Sequence, residues 1–300
     1  MYTYTPATLN SLPASWRRAK QGSRWAWLSF GRYKSPLLVV ALSGFLVACA
    51  GLPPAQYEGY VLDWQDEFNG RTINKDYWRH AVGGGGYGNN ELQYYTNAET
   101  NARVEKGLLI LEARRERKAG WPYTSAKLQT LGRKSMLYGR VEVRAKLPRG
   151  VGSWPAIWML PEDGSGYGVG WPDSGEIDLM EHVGYDQGTV HFTVHTAAYN
   201  HKIGTQRGAS LRMPDASEAF HTYAMEWTPQ YIRWSVDGTT VFQFDNPCTG
   251  WQAWPFDKPF YLILNIACGG DWGGREGIDN DSLPWRMEVD WVRVYRYLGD

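Results

Sequence analysis

The chain has 300 residues, and its 31 lysines and arginines balance 31 aspartates and glutamates. Without a basic excess it lacks the charge that a nucleic-acid partner requires. Its 16 tryptophans and 19 tyrosines favour strands, and its 34 glycines and 16 prolines favour tight turns between them.

The first 48 residues differ from the rest of the chain. Basic residues occur here without any acidic ones, at Arg17, Arg18, Lys20, Arg24, Arg32 and Lys34, and an apolar and small stretch follows from Leu37 to Ala48. This order is typical of a signal peptide, and the apolar stretch is shorter than the roughly 20 residues of a standard membrane span. We therefore predict a signal peptide over residues 1–48, with an uncleaved N-terminal anchor as the alternative.

The end of this segment, Leu46-Val47-Ala48-Cys49, resembles a bacterial lipobox. The resemblance implies that Cys49 becomes the lipidated first residue of an exported protein, anchored to the membrane at the cell envelope or cell surface. Because Ala50 is not aspartate, we expect the outer membrane. Residues 49–57 contain two prolines and are predicted to form a tether. Removal of residues 1–48 leaves 25 basic against 31 acidic residues, a net charge of −6.

Residues 58–300 show no repeat or linker, and their length suits one domain with a substantial core. Alternating or apolar runs recur at Leu108–Ala113, Tyr138–Lys146, Glu176–Met180, Thr189–His195, His221–Trp227, Ile232–Val236, Phe260–Ile266 and Met287–Tyr295. Many short strands favour an all-β fold, a sandwich or jelly roll of two antiparallel sheets. Asp237-Gly238 lies between two such runs and predicts a two-residue hairpin turn.

The stretch Glu176-Ile177-Asp178-Leu179-Met180-Glu181 places three carboxylates within six positions. The alternation of acidic and apolar residues predicts a strand on which Glu176 and Asp178 share a face. On a regular strand Glu181 would point to the other face. A β-bulge near Met180 would return it to the acidic face.

With that bulge, the backbones of Glu176 and Glu181 would lie roughly 13 Å apart. If each side chain leans inward by about 4 Å, the carboxyl groups are about 5–5.5 Å apart, the spacing of retaining glycosidases. This separation follows only for an inward lean of that size. The alternative is a solvated acidic face, which is disfavoured because crowded carboxylates shift one another's pKa values and cost stability.

Aromatic residues indicate the class of ligand. Trp154 and Trp158 are four positions apart and share a strand face, while Ile157 and Met159 are predicted to face the core. Flat rings next to carboxylates suit sugars, whose C–H faces stack and whose hydroxyls need acceptors. The segments Tyr87–Tyr95 and Gly269–Gly274 add further polar and aromatic groups.

Together these segments resemble glycoside hydrolase family 16, in its bacterial laminarinase-like branch. The matching stretches are Asn89–Thr96, Trp154–Leu160, Gly175–Glu181, Thr189–Thr196, Trp254–Gly274 and Met287–Tyr295. The resemblance implies a β-jelly roll with a concave substrate cleft over residues 58–300, and an endo-acting, retaining enzyme. It implies Glu176 as nucleophile, Glu181 as general acid/base and Asp178 between them as an assisting group. We expect a monomer whose chemistry requires no cofactor.

The same resemblance implies a set of substrate-binding residues, namely Asn90, Lys127, Trp154, Trp158, His195 and Trp272. Lys127 stands where relatives commonly have an arginine, and it is a point donor without the planar fork of a guanidinium. A purely structural histidine is the alternative for His195.

The spacing of the acidic stretch bears on the substrate. Lichenases of the family have Glu-x-Asp-x-Glu, whereas the longer form found here is shared by laminarinases, agarases and carrageenases. Tyr199-Asn200-His201 and Gly204-Thr205-Gln206 most resemble the laminarinase branch, which favours β-1,3-glucan. Mixed-linkage glucan, agarose and carrageenan are alternative substrates. A lipoprotein that binds glucan without cleaving it is the alternative from another functional class.

Two further features are left open by the sequence. The family often carries a structural Ca²⁺, which implies the carbonyls of Glu67 and Gly70 and the side chain of Asp290 as ligands. The alternative is that Asp290 caps a strand. Cys248 and Cys268 are the remaining cysteines of an exported chain and are candidates for one disulfide, although the sequence does not give their Cα separation.

Overall fold

The computed structural model describes residues 55–162, 167 and 170–299. The described residues belong to one compact unit, Gly51–Asp300. The predicted signal peptide and the predicted lipidation site at Cys49 lie outside the described residues. None of the helices in the described ranges combines the length and the apolar character that crossing a membrane requires.

The described part of the chain contains 18 strands, one four-residue α-helix and four short 3₁₀ helices. The strands are β1 (Tyr60–Asp66), β2 (Arg79–His80), β3 (Gln93–Tyr95), β4 (Ala102–Glu105), β5 (Leu108–Ala113), β6 (Tyr123–Ser125), β7 (Lys127–Gln129), β8 (Ser135–Met136), β9 (Gly139–Lys146), β10 (Ser153–Pro161), β11 (Glu176–His182), β12 (Thr189–His195), β13 (Arg207–Arg212), β14 (His221–Trp227), β15 (Tyr231–Val236), β16 (Thr239–Asp245), β17 (Phe260–Cys268) and β18 (Trp285–Tyr297). The helix α1 is Gly270–Gly273, and the 3₁₀ helices are Gly86–Gly88, Gly184–Asp186, His201–Ile203 and Asn280–Ser282.

Two eight-stranded antiparallel sheets account for most of these strands. The site sheet has the order β13-β12-β11-β10-β17-β7-β2, with β8 also paired to β17. The back sheet has the order β16-β15-β14-β9-β18-β5-β4, with β1 also paired to β18. The short strands β3 and β6 form a separate parallel pair. The predicted all-β sandwich of two antiparallel sheets, a jelly roll, is therefore confirmed.

The core is built from side chains of both sheets, as the alternating runs predict. Ile157, Met159 and Ile177 of the site sheet and Trp234 of the back sheet are all at most 1% exposed. Trp234 also forms a hydrogen bond, in which its indole Nε1 donates to the backbone carbonyl of Asp178 at 2.8 Å. The back sheet thus fixes the backbone of the site sheet within the acidic stretch.

The predicted turn at Asp237-Gly238 is confirmed. Val236 and Thr239 are register partners of β15 and β16, so the loop between them has two residues. Asp237 and Gly238 have φ values of 48° and 79°. Positive φ at both central positions is what a type I′ hairpin turn requires, and it favours glycine at the second position.

The suggested disulfide is wrong, because both cysteines are free thiols. Cys268 is the last residue of β17 and is fully buried in the site sheet, whereas Cys248 is exposed in the loop after β16. Burial raises the pKa of the Cys268 thiol, which keeps it protonated. Cys268 is buried at the end of a core strand and Cys248 is exposed in a loop, so the two thiols do not pair.

Candidate active site

A β-bulge in β11 brings the three acids to one face. Asp178 pairs with Thr193 and Glu181 pairs with His191, so two residues of β11 oppose one residue of β12. The two residues that oppose Phe192 in this bulge, Leu179 and Met180, are both fully buried in the core. The predicted bulge is therefore present. Because of it, Glu181 faces the same cavity as Glu176 and Asp178.

This cavity on the site sheet has a volume of about 440 Å³. Besides the three acids, its lining includes residues from several strands and loops: Tyr87, Asn89, Glu91, Tyr95, Lys127, Trp154, Trp158, Trp171, His201, Tyr261 and Asn265. Aromatic rings and polar groups alternate around one acidic stretch. Such a lining can stack flat apolar faces and bind hydroxyl groups at the same time.

The three carboxylates perturb one another. Burial, followed by the charge of Glu181, raises the pKa of Glu176. Burial and the charge of Glu176 raise the pKa of Asp178 well above its ordinary value, and burial raises the pKa of Glu181. The cluster therefore holds at least one proton near neutral pH, and its groups titrate as an interacting unit. One acid can donate a proton while another remains ionised.

Three neighbours favour the ionised form of Glu176, and one of them is Asp178, whose side chain hydrogen-bonds to it. The Trp171 side chain hydrogen-bonds to it, and the Lys127 ammonium lowers its pKa. His195, predicted to bind substrate, lies beside Glu176 and Asp178, with Nε2 3.8 Å from Glu176 Oε1 and 3.5 Å from Asp178 Oδ2. It is not among the residues that line the cavity. Burial lowers the pKa of His195 to about 4, so its imidazole is neutral at neutral pH.

Glu181 is held by Trp154, whose indole Nε1 donates to Glu181 Oε1 at 3.0 Å. Trp272 packs edge-on against Trp154 with the ring centroids 5.4 Å apart. His191 in turn packs edge-on against Trp272 at 5.0 Å. Trp272 was predicted to line the cleft. In the structure Trp272 contacts Trp154 and is not itself among the residues that line the cavity.

Asn90, another predicted sugar-binding residue, also lies outside the lining of the cavity. Its backbone has a φ of 54°, and its side-chain Nδ2 donates to Asp271 Oδ1 at 2.8 Å. This local conformation turns Asn90 towards the α1 segment. Its neighbours Asn89 and Glu91 line the cavity in its place.

Lys127 and Trp158 do line the cavity, as predicted. Lys127 Nζ lies 4.7 Å from the ring centroid of Trp158 and 5.0 Å from that of Tyr87. The Trp158 indole Nε1 donates to Asn265 Oδ1 at 2.6 Å, and Asn265 Nδ2 donates to Tyr95 Oη at 3.1 Å. The orientation of this tryptophan is thus fixed before any ligand binds.

Several lining residues were missed at the sequence level, namely Glu91, Trp171, His201 and Asn265. Asn265 offered a signal, because it is the one amide within the apolar run of β17, and a buried amide needs partners. Trp171 lies in a turn and His201 begins a three-residue 3₁₀ helix, and neither segment has a periodicity that indicates the direction of a side chain. Within the described residues, Glu176, Asp178 and His195 have ligand-type atoms within 4.8 Å of one another. Glu176 and Asp178 line the cavity and are candidate reacting groups, whereas His195 lies beside them and is not among the lining residues.

The predicted Ca²⁺ ligands lie near both ends of the domain. β1 ends at Asp66, and Glu67 and Gly70 follow it, alongside a bulge in β18 that contains Asp290. Arg144 Nη1 donates to Asp290 Oδ2 at 2.7 Å, so a cation there would compete for one of the two carboxylate oxygens. The remaining carboxylate oxygen and the backbone carbonyls are the hard donors that Ca²⁺ prefers. Calcium at this position stays a prediction.

Comparison with known proteins agrees with this geometry. The sequence profile of glycosyl hydrolases family 16 matches residues 88–293. A beta-glucanase of Rhodothermus marinus is 54% identical over 249 residues, which cover 80% of this chain and 86% of that protein. The X-ray structure of the laminarinase from Rhodothermus marinus superimposes with a TM-score of 0.78 at 53% identity, covering 80% of this chain and 98% of that one.

A second solved structure contains a bound sugar. It is a variant of SCLam, described as a non-specific endo-β-1,3(4)-glucanase of the same family with 1,3-β-D-cellobiosyl-glucose at its active site. Its TM-score is 0.77 at 46% identity, and the match covers 82% of this chain and 98% of that one.

Proposed function

Since the chain belongs to glycosyl hydrolases family 16, we propose that it is a retaining endo-glycosidase that hydrolyses β-1,3-glucosidic bonds in laminarin-like glucans. The observation that carries this proposal is the bulge in β11, which sets the buried Asp178 and the half-buried Glu176 and Glu181 on one face of a cavity lined by tryptophans. A solvated acidic face would not have this burial, and a binding site has no need for crowded carboxylates that raise one another's pKa values.

In the first step Glu176 attacks the anomeric carbon of the bound sugar. The bond from that carbon to the glycosidic oxygen breaks, and protonated Glu181 donates its proton to the departing oxygen. The sugar is then covalently attached to Glu176. The indole N–H of Trp154 holds Glu181 Oε1 in position for this transfer.

In the second step Glu181, now ionised, removes a proton from a water molecule. The oxygen of that water attacks the anomeric carbon, and the bond to Glu176 breaks. The product has the original anomeric configuration, and both glutamates return to their starting states. Asp178 lies beside Glu176, hydrogen-bonds to it and assists its change of charge. The imidazole of His195, which is neutral at neutral pH, lies next to Glu176 and Asp178.

The polysaccharide can be identified with a substrate panel. We expect release of reducing ends to be fastest from laminarin, slower from lichenan, and negligible from agarose and carrageenan. Lichenan is the second candidate because SCLam, at 46% identity, is described as a non-specific endo-β-1,3(4)-glucanase. If the wild-type protein binds laminarin but releases no reducing ends from any of the four, it is a glucan-binding protein and the enzymatic proposal is wrong.

We also propose that the protein is exported and lipid-anchored through Cys49. The support is the order of basic segment, apolar stretch and Leu-Val-Ala-Cys in the sequence. In a bacterial host, Cys49→Ala is expected to move the protein from the membrane fraction to the soluble fraction. Cys248→Ala, which alters an exposed free thiol, is the matched control and should stay with the membrane. Equal distribution of both variants would contradict lipidation.

A further inference from the structure

The imidazole of His195 is turned towards two carboxylates but hydrogen-bonds to neither of them. His195 is 6% exposed on β12, and its Nε2 lies 3.8 Å from Glu176 Oε1 and 3.5 Å from Asp178 Oδ2. An N–H···O hydrogen bond is about 2.7–3.2 Å long, so both distances are too long for one. The bond changes described above also give His195 no step of its own. The three side chains therefore converge without a direct bond from the imidazole to either acid.

Two polar atoms of this cluster have no hydrogen-bond partner in the described part of the chain. Asp178 is 2% exposed, and its Oδ2, the oxygen that faces His195, is unpartnered. His195 Nδ1 is unpartnered as well. Buried polar atoms are normally paired, so an unpaired carboxylate oxygen that faces an imidazole nitrogen needs a physical reason. A bound cation that accepts a lone pair from each of them would supply that reason.

The spacing of the three donor atoms suits a zinc ion. Zn²⁺ binds imidazole nitrogen at about 2.0–2.1 Å and carboxylate oxygen at about 2.0–2.2 Å, usually in a tetrahedron, in which two such ligand atoms are about 3.3–3.5 Å apart. The observed separations from His195 Nε2 are 3.5 and 3.8 Å, and the ligand-type atoms of the three residues all lie within 4.8 Å of one another. Shifts of a few tenths of an ångström would complete the geometry.

The donor set also selects the kind of metal. One imidazole with two carboxylates suits Zn²⁺ and neighbouring transition metals, whereas Ca²⁺ and Mg²⁺ prefer shells made of oxygen alone. The predicted calcium ligands Glu67, Gly70 and Asp290 contain no imidazole and are a separate set. A divalent cation between Glu176 and Asp178 would also remove the repulsion between their ionised forms.

We propose that Glu176, Asp178 and His195 form a binding site for Zn²⁺ and that the bound ion inhibits the enzyme. The ion enters through the cavity, because Glu176 and Asp178 line it, and a water molecule on that side completes the tetrahedron. A Glu176 oxygen that is bound to Zn²⁺ cannot attack the anomeric carbon. The inhibition therefore rests on the proposed function, whereas the binding of the ion does not.

Two other groups of the chain that attract zinc provide matched controls. His221 also has two acids beside it, but Asp215 lies 3.5 Å from its Nε2 and Asp237 lies 2.7 Å from its Nδ1. The acids flank opposite ring nitrogens, so the three residues cannot share one ion. Cys248 is an exposed free thiol. Neither His221 nor Cys248 lines the cavity, and His221→Ala and Cys248→Ala should leave the proposed site intact.

The test is a calorimetric titration of the full-length protein with ZnCl₂. The wild type and both controls should bind Zn²⁺ at this site with equal affinity. His195→Ala should weaken that binding by about tenfold or more, because one of three protein ligands is lost. Co²⁺ adds a spectroscopic readout, since its visible absorption intensifies in a tetrahedral site, and His195→Ala should lose this intensification. Thermal unfolding shows that each variant is folded.

The consequence for catalysis is measured separately. Zn²⁺ should inhibit the release of reducing ends from laminarin by the wild type over the same concentrations at which it binds, and EDTA should restore the activity. Anomalous scattering from a zinc-soaked crystal of the wild type locates the ion without any substitution. We expect the peak between His195 Nε2 and the two carboxylates.

The inference is overturned if the wild type does not bind Zn²⁺, if folded His195→Ala binds it as tightly as the wild type, or if the anomalous peak lies only at Cys248 or His221. Bound Zn²⁺ that leaves the hydrolysis of laminarin unchanged would also overturn it. Each of these results leaves the proposed function intact in an active enzyme. A protein that binds Zn²⁺ at His195 but releases no reducing ends from any polysaccharide would keep the metal site and overturn the proposed function.

Discussion

Glu176→Gln is expected to lower kcat/KM on laminarin by roughly 10⁴-fold or more while the protein remains folded. Glutamine has nearly the shape of glutamate but no anionic oxygen to attack the anomeric carbon. The side chain is half-buried, and desolvation followed by the charge of Glu181 raises its pKa, so the substitution removes an electrostatic cost from the folded state. We therefore expect the thermal unfolding temperature to be equal to or above that of the wild type.

Release of reducing ends gives the activity, and Glu288→Gln on the back sheet is the matched control. A smaller variant, Glu176→Ala, makes the assignment sharper. In it, azide should occupy the space of the missing carboxylate and attack the anomeric carbon directly, which gives an α-glucosyl azide from an activated β-glucoside. Retention of more than a tenth of the wild-type rate by Glu176→Gln would rule out this residue as the nucleophile.

Glu181→Ala is expected to lower activity on laminarin by about 10²–10⁴-fold, the usual contribution of a general acid/base. The loss should be much smaller in the first step for an aryl β-glucoside whose leaving group departs without a proton. The glycosyl-enzyme should then accumulate, because no base remains to activate water. A pre-steady-state burst of the aryl alcohol is the observable.

The product formed with azide distinguishes Glu181→Ala from Glu176→Ala. It needs no general base, so it should accelerate the second step of Glu181→Ala and give a β-glucosyl azide. Trp154→Phe is a useful companion, because it removes the indole donor to Glu181 but keeps an aromatic ring. An equal loss on laminarin and on activated substrates would show that Glu181 is not the proton donor.

The acidic stretch shows how much of the site could be predicted from the sequence. A period of two places Glu176 and Asp178 on one face, and the chemistry of paired carboxylates required Glu181 to join them, which predicted the bulge. The buried Ile157 and Met159 follow from the same alternation. The local pattern was sufficient to predict these positions because successive side chains of a strand point to opposite faces of the sheet.

The remaining features depend on contacts between distant segments. Asn90 is turned away by a positive φ and by an acceptor on Asp271, 181 positions further along the chain. The indole of Trp234 reaches the carbonyl of Asp178 from the other sheet. Lys127 sits between two rings from separate segments. A local periodicity does not encode contacts between distant segments. Loop residues such as Trp171 lack even the two-residue alternation by which a strand indicates the direction of a side chain.

The most direct test of the double-displacement account is to trap the covalent intermediate and locate it. A 2-fluoro glucosyl or laminaribiosyl donor with a good leaving group should form the glycosyl-enzyme faster than water can release it. After proteolysis, mass spectrometry is predicted to find the sugar on the peptide that contains Glu176, attached to that residue. A label on Glu181 or on any residue outside the acidic stretch, or full turnover with no labelled enzyme, would contradict the account.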